Sequence, residues 1–291
     1  MPIRDVLLAI LIVAIWGISF VVIKAGVADI PPLLLTGFRF LFAGLPLVFF
    51  IKKPATTWRY IILYGLSLGV LQFGLLFLSL KLGSTAGMSS VVMQLQAFFT
   101  IALAFYLLKE KPKLWQVIGA IVAFSGIFIM GSEKTEGAEL VPFLLLIGGA
   151  LFWGVANIIA KKAGQIDMFS FVIWSSLIPP IPLFALSWMF EDQATIIQTV
   201  TNPTWFSVGA VFYLAYPTTV FAFAVWNVLL KRHPTSVVAP FSLLVPIFGV
   251  LGGMLILGES MSALAMLGGA VIFVGLLFNV FGARLQQLVR R

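Results

Sequence analysis

The sequence predicts an all-α, polytopic membrane protein: ten transmembrane helices arranged as two inverted five-helix repeats. Composition, punctuation of the apolar runs and internal self-similarity predict it. Of 291 residues, 61% are hydrophobic and only 10% are charged, and the mean hydropathy is +1.12. A soluble domain averages about 45–50% apolar and about 25% charged residues. So few charges cannot cover a water-facing surface, which excludes a soluble globule, a disordered chain, collagen and nucleic-acid readers. The absence of Cys removes disulfides, thiolate metal sites and Cys nucleophiles. At about 20 residues per span, ten spans use roughly 200 residues and leave short loops.

The apolar runs place spans at 5–25, 32–51, 58–80, 86–108, 114–131, 141–162, 169–190, 205–230, 236–257 and 263–283. The first run starts directly behind Arg4 and Asp5 and lacks a small-residue cleavage site, so it reads as a retained span rather than a signal peptide. Barrel strands alternate over about 10 residues, whereas these runs are continuously apolar. The cations then sort themselves. With the N-terminus in the cytoplasm, fourteen of the 18 Lys and Arg fall inside: Arg4, Lys52, Lys53, Arg59, Lys109, Lys111, Lys113, Lys161, Lys162, Lys231, Arg232, Arg284, Arg290 and Arg291. The outer loops hold only Lys81 and Lys134, and Lys24 and Arg39 lie within spans. That is the positive-inside pattern, with both termini cytoplasmic.

The chain also repeats itself. Trp16, Gly17, Phe20 and Lys24 correspond to Trp153, Gly154, Asn157 and Lys161 at a shift of 137. Tyr64, Glu110, Gly119 and Gly126 correspond to Tyr213, Glu259, Gly268 and Gly275 at a shift of 149. The change of shift puts about 12 extra residues near a loop at 191–204, longer than its counterpart at 52–57. Five spans per repeat is an odd number, so the second copy enters the membrane from the opposite side. Inverted repeats recur in secondary transporters, where two halves can exchange conformations; duplication for packing alone is the bland alternative. The repeats are placed at 1–132 and 140–284, followed by a basic tail at 285–291.

Several motifs resemble a known family. Trp16-Gly17 followed by Lys24, Pro31-Pro32 before Arg39-Phe40, and Glu110 and Glu259 closing the fourth and ninth spans look like the two EamA domains of the drug/metabolite transporter superfamily. The resemblance covers essentially the whole chain. Gln94 to Thr100, Val172 to Pro179 and Ala239 to Pro246 resemble the branch that exports O-acetylserine and cysteine from bacteria. The resemblance implies the drug/metabolite transporter fold and a bacterial inner-membrane exporter of amino acids or related metabolites. It also implies a cavity lined by the first, third, fourth, sixth, eighth and ninth spans.

Polar side chains inside lipid are costly and tend to face a cavity or another helix. Trp16, Phe20 and Lys24 share one helical face, as do Trp153, Asn157 and Lys161. Lys24 at the outer end and Lys161 at the inner end either attract a substrate carboxylate or snorkel to headgroups, and Asp29 is an alternative partner for Lys24. Gln94 and Gln96 point to different faces of their helix, one free to line a cavity and the other to bond a neighbour; Gln72 is similarly placed. Arg39 lies seven residues past Pro32 and can hold a carboxylate in bidentate fashion, reach back to the surface, or brace a carbonyl. Its counterpart near Ser175 is uncharged. Tyr213 and Tyr216 precede Pro217, and Ser242 sits between Pro240 and Pro246, so these mark bends near the cavity or static kinks. Gly119, Gly126, Gly268 and Gly275 form small-residue seams that make the fifth and tenth spans structural. The expected substrate-binding set is Trp16, Phe20, Lys24, Arg39, Gln72, Gln94, Gln96, Trp153, Asn157, Tyr213, Tyr216 and Ser242.

All ten acids lie at span ends or in loops, so a mid-membrane carboxylate relay has no candidate. The lone His233 has no nucleophile or metal partner in the sequence, which argues against an enzyme. No cofactor and no metal is expected. The expected partners are a small-molecule substrate and the lipid bilayer, not nucleic acid, with a homodimer left open. A passive channel and an exporter of another drug or metabolite are the rival readings.

Overall fold

The structure of the protein is a computed structural model. It describes the backbone of residues 1–132 and 137–289 and, within these, all side chains except those of 137–139, 235–236 and 283–289. Lys134, Arg290 and Arg291 lie outside the described residues, as does the side chain of Arg284.

Among the described residues the chain is helical and has no strand. Its principal helices are α1 (Ile3–Asp29), α2 (Pro32–Val48), α3 (Trp58–Lys81), α4 (Ala86–Leu108), α5 (Leu114–Gly131), α6 (Gly137–Lys162), α7 (Met168–Phe190), α8 (Trp205–Arg232), α9 (Ala239–Leu257) and α10 (Ala263–Val289). Among the described residues, nine of these are long and apolar enough to cross a membrane, and α2, at 17 residues, is shorter. Their outward faces stay apolar: Leu255 is 81% exposed and Phe128 is 78% exposed, as suits a lipid solvent but not water.

Short side-chain caps start several helices. The Thr85, Asp167 and Thr204 side chains accept from the backbone N–H groups of Met88, Ser170 and Ser207. Two expectations need correction. The helix of the second span ends at Val48 rather than 51, where the amides of Phe50 and Ile51 share the Leu47 carbonyl as the last turn loosens. The connection at 191–204 is not simply a loop, because Gln193–Thr201 forms a helix. The Asp192 carboxylate caps it, accepting from the Thr195 hydroxyl and amide at 2.6 and 2.8 Å, and these bonds hold its carboxyl below the ordinary range. Ile196 is buried and Ile197 and Val200 are exposed, so the helix rests on the body by a narrow stripe.

Five long helices are irregular in their interiors, and one of them, α7, breaks into turns at 176–179 between Ser175 and Pro180. α3 winds as a π-helix over Gly65–Gln72 and α8 over Tyr216–Phe221, while α4 tightens to a 3-10 turn over Met93–Leu95 and α9 over Ala239–Leu244. In α8 the cause is legible. Pro217 cannot donate to the Tyr213 carbonyl, and the Thr218 hydroxyl does so instead at 3.0 Å, while the Thr219 hydroxyl donates to the Leu214 carbonyl at 2.9 Å. The third–eighth and fourth–ninth irregularities overlap at the 149-residue shift found in the sequence. So do the left-handed ends of α4 and α9, at Lys109 (φ 60°) and Gly258 (φ 65°).

Packing pairs the helices across the two halves. α1 lies against α8 and α9 as α6 lies against α3 and α4, and α2 lies against α8 as α7 lies against α3. The pairs α2–α7, α4–α9 and α5–α10 face each other. A buried apolar cluster that includes Val13, Phe20, Phe77, Met93, Leu214 and Ile272 spans both halves. The α5–α10 contact needs its glycines: a Cβ on Gly119 would stand 2.6 Å from the Gly275 carbonyl oxygen, and one on Gly126 would stand 2.6 Å from that of Gly268. In lipid, where water no longer drives helices together, such close backbone approach supplies the association energy.

Two predictions follow from this packing. Gly126→Ala should lower stability by about 1–3 kcal/mol, the cost of overpacking a tight contact, read as a lower melting temperature in detergent; an unchanged value would mean the seam has slack. Lys109→Gly should raise stability by roughly 1 kcal/mol, because glycine removes the left-handed penalty. A fall in melting temperature would show that the Lys109 side chain contributes more than its backbone costs.

Candidate functional site

The irregular interiors of α3, α4, α8 and α9 are where polar side chains collect. Around the π-segment of α8, the Trp16 indole donates to the Thr218 carbonyl at 3.0 Å and the Tyr213 hydroxyl donates back to the Ile15 carbonyl at 3.0 Å. The Trp16 ring meets Phe223 and Trp226 edge-on, with centroids 5.5 and 5.3 Å away. On another side of the same segment, Arg39 Nε donates to Thr219 Oγ1 at 3.3 Å and its guanidinium lies 3.9 Å from the Phe73 ring centroid. Tyr216 opens the π-segment and tilts against Phe212.

A second group forms between α4 and α6. The Asn157 amide donates to Gln96 Oε1 at 2.7 Å and to Thr100 Oγ1 at 3.0 Å. Trp153, one turn earlier on α6, packs against two buried apolar clusters. Gln94 takes the other direction. It is buried and lines a cavity of about 340 Å³ between α4, α9 and α10, whose other walls include Val91, Pro246, Val250, Met266 and Phe273. That cavity is otherwise apolar.

The remaining members of the expected set stand apart. Phe20 belongs to the buried apolar cluster. Lys24 donates to the Leu80 carbonyl at 2.9 Å. Gln72 ends the α3 π-segment, 1% exposed, with its Oε1 unpartnered. The Ser242 hydroxyl bonds the Ala239 carbonyl within its own 3-10 turn. The twelve residues therefore divide among an α1–α2–α8 group, an α4–α6 group and isolated positions, and one of them lines the α4–α9–α10 cavity.

The helix ends carry the ion pairs. Lys161 bonds Glu110 at 2.6 Å, Lys231 bonds Asp167 at 2.9 Å, and Asp5 accepts His233 at 2.6 Å with Arg232 3.8 Å away. Burial pushes the Asp167 carboxyl up, but the Lys231 ammonium and the Ser170 amide and hydroxyl outweigh it and hold it below the ordinary carboxylate range. Elsewhere, acids cap helix starts directly. Glu259 accepts from the Ala86 and Gly87 amides at 2.7 and 3.2 Å, and Glu191 accepts from those of Leu33 and Leu34 at 2.7 and 3.2 Å. Among the described residues, no group of three acids or histidines could hold a metal ion.

Sequence reasoning missed Thr218, Thr219, Phe73, Thr100 and Glu191. The Thr pair had a readable signal, two hydroxyls directly after a proline in an apolar run. Thr100 follows Gln96 by one turn and shares its face. Phe73 and Glu191 had none, since what they touch is set by tertiary packing.

The comparisons with known proteins agree with this architecture. A family model described as the EamA-like transporter family matches residues 4–132 and 140–281. The "Probable amino-acid metabolite efflux pump" of Escherichia coli (strain K12) is 36% identical over 293 residues, covering 99% of this chain and 98% of its own. The protein of that name in Salmonella typhimurium (strain LT2) is equally similar, at 36% over 293 residues. The "Uncharacterized transporter YoaV" of Bacillus subtilis (strain 168) is 28% identical over 283 residues, covering 92% of this chain and 93% of its own. One solved crystal structure has a TM-score of 0.65 at 18% identity over 98% of this chain and 99% of its own, a likeness of fold alone. With its apolar helices and transporter relatives, the chain is a multi-pass membrane protein, and it belongs to the EamA-like transporter family.

Proposed function

We propose that the chain is a secondary transporter of a bacterial inner membrane that exports amino acids or related small metabolites by alternating access. On this reading ten helices cross the bilayer as two inverted five-helix units, 1–132 and 140–284, with a cytoplasmic tail at 285–291 and both termini inside. The observation that carries it is the paired exchange of helix contacts, in which α1 meets α8 and α9 as α6 meets α3 and α4. The matched irregularities of α3 with α8 and of α4 with α9 support the same relation. Two halves so related can trade conformations about a shared middle, where helix interruptions make non-helical backbone available. The substrate class is supported by the relatives named as probable amino-acid metabolite efflux pumps. The likeness at Gln94 to Thr100, Val172 to Pro179 and Ala239 to Pro246 supports O-acetylserine and cysteine as substrates within that class.

The pathway on this reading uses amides rather than acids. Gln94 lines the α4–α9–α10 cavity, and Asn157 with Gln96 offers donors and acceptors between α4 and α6. Neutral amides can both donate to a carboxylate and accept from an ammonium, which suits a zwitterion. Trp16, Trp153, Tyr213 and Tyr216 supply its aromatic walls.

Efflux of O-acetyl-L-serine and L-cysteine from proteoliposomes tests the function. The wild type should show saturable efflux, and flux far above carrier turnover would make it a channel. Gln94→Ala and Asn157→Ala should each slow efflux by roughly tenfold, the worth of one hydrogen bond of about 1–1.5 kcal/mol, without loss of expression. Normal rates would remove those residues from the pathway. Because the chain has no Cys, single cysteines map the topology cleanly. Leu82→Cys and Lys162→Cys should label from opposite faces of the membrane, and labelling from one face would end the inverted arrangement.

A further inference from the structure

Arg39 stands midway along α2, about 10 Å or more from either helix end at 1.5 Å per residue. It is 2% exposed. A guanidinium is permanently charged and carries five N–H donors. Here the surroundings employ it sparingly: Nε reaches Thr219 Oγ1 at 3.3 Å, a long bond, and Nη1 is buried without a partner. Among the described residues it forms no ion pair with a carboxylate.

A charge placed this way inside a membrane helix is costly and is usually paired or functional. A brace for the α8 π-segment would need only one donor, and a neutral side chain could supply it. What the surroundings do instead is fix the guanidinium. Phe73 lies against its face at 3.9 Å and Phe40 stands 5.6 Å away, an arrangement that attracts a cation through the ring faces without using its N–H groups. The Thr219 hydroxyl gives its own hydrogen to the Leu214 carbonyl at 2.9 Å, so toward Arg39 its oxygen can only accept. The ring holds the plane, the hydroxyl holds the Nε edge, and the Nη groups remain to be used.

We propose that Arg39 is a carboxylate-binding site in the interior of the transport pathway, with Thr219 and Phe73 as positioning residues. The two Nη groups receive the two oxygens of a small-molecule carboxylate, the planar pairing that a guanidinium makes best. As applied to an amino acid's α-carboxylate, this rests on the exporter reading above. The amides at Gln94, Gln96 and Asn157 cannot supply the countercharge, and no acid along the spans competes for it.

The test is a paired-ligand measurement on the full chain. O-Acetyl-L-serine, L-serine, L-cysteine and propionate are each compared with the corresponding carboxamide, by the concentration giving half-maximal thermal stabilisation. The wild type should prefer each carboxylate by about tenfold or more, the worth of a charge-assisted pair. Arg39→Gln should abolish that preference. Thr219→Val keeps the charge but frees the guanidinium, and should lose part of it. A preference that survives in Arg39→Gln overturns the site while leaving the exporter reading intact. A wild type that prefers propionate but binds none of the amino acids keeps the site and ends the exporter reading. A wild type that treats acids and amides alike overturns the site. Should Arg39→Gln fail to fold, Thr219→Val decides, and an unchanged preference in that variant overturns the proposal.

Discussion

Everything in this molecule depends on keeping backbone polar groups satisfied where no water can reach them. A transmembrane helix does so by itself, and any interruption must be repaired by side chains. α8 shows the repair in detail. Pro217 removes a donor, Thr218 and Thr219 return hydroxyl donors to the Tyr213 and Leu214 carbonyls, and the widened turn leaves the Thr218 carbonyl available to the Trp16 indole. Tyr213 reciprocates on the Ile15 carbonyl. The interruption is therefore also the joint between α1 and α8. Replacing these residues by apolar ones would leave carbonyls unpaired at a cost of about 1–3 kcal/mol each, so bend, joint and cluster of aromatic side chains come as one unit.

The same rule governs the helix ends. Glu259 and Glu191 each cover two free amides at a helix start, where the peptide dipoles favour an anion. The counterparts of Glu110 and Lys161 are Glu259 and Lys24, yet their bonds differ. Lys161 meets Glu110 directly, whereas Lys24 binds the Leu80 carbonyl and Glu259 binds the start of α4. Equivalent residue types at equivalent positions thus have at least two ways to satisfy one another.

How far the sequence speaks follows from the kind of signal. Length and continuous hydropathy are strong signals in lipid, and the predicted bounds 86–108 and 114–131 coincide with α4 and α5. The glycines at 119, 126, 268 and 275 announced a close helix contact because little else justifies glycine in an apolar helix. Prolines marked where α8 and α9 depart from ideal winding, but α3 carries a π-segment with no proline, and nothing local distinguishes it. The helix Gln193–Thr201 was hidden inside a length argument, although Asp192 ahead of Ile196, Ile197 and Val200 was a readable cap and stripe. The site was the least legible part. That Gln94 and Gln96 diverge follows from their spacing; which one meets Asn157 depends on how α4 turns against α6.

The two halves share scaffold and differ in chemistry. Glycines, interruptions and helix ends recur at fixed shifts, but Asn157 stands where the first half has Phe20, and Arg39 faces a counterpart region around Ser175 that has no charge. That region holds a void of only about 10 Å³, walled by Gly65, Gly69 and Pro179 among others, with the Ser175 hydroxyl unpartnered. A void of that size is at the limit for one water molecule, whose cavity needs about 10–15 Å³. The arginine side has instead an aromatic face and a hydroxyl oxygen to aim a charge. Symmetric mechanics and asymmetric recognition are compatible for a simple reason. On the proposed exporter reading, exchange between two orientations asks only that both halves bend at matching places, whereas a zwitterionic substrate has a carboxylate end and an ammonium end and is met best by a site whose two sides are unlike.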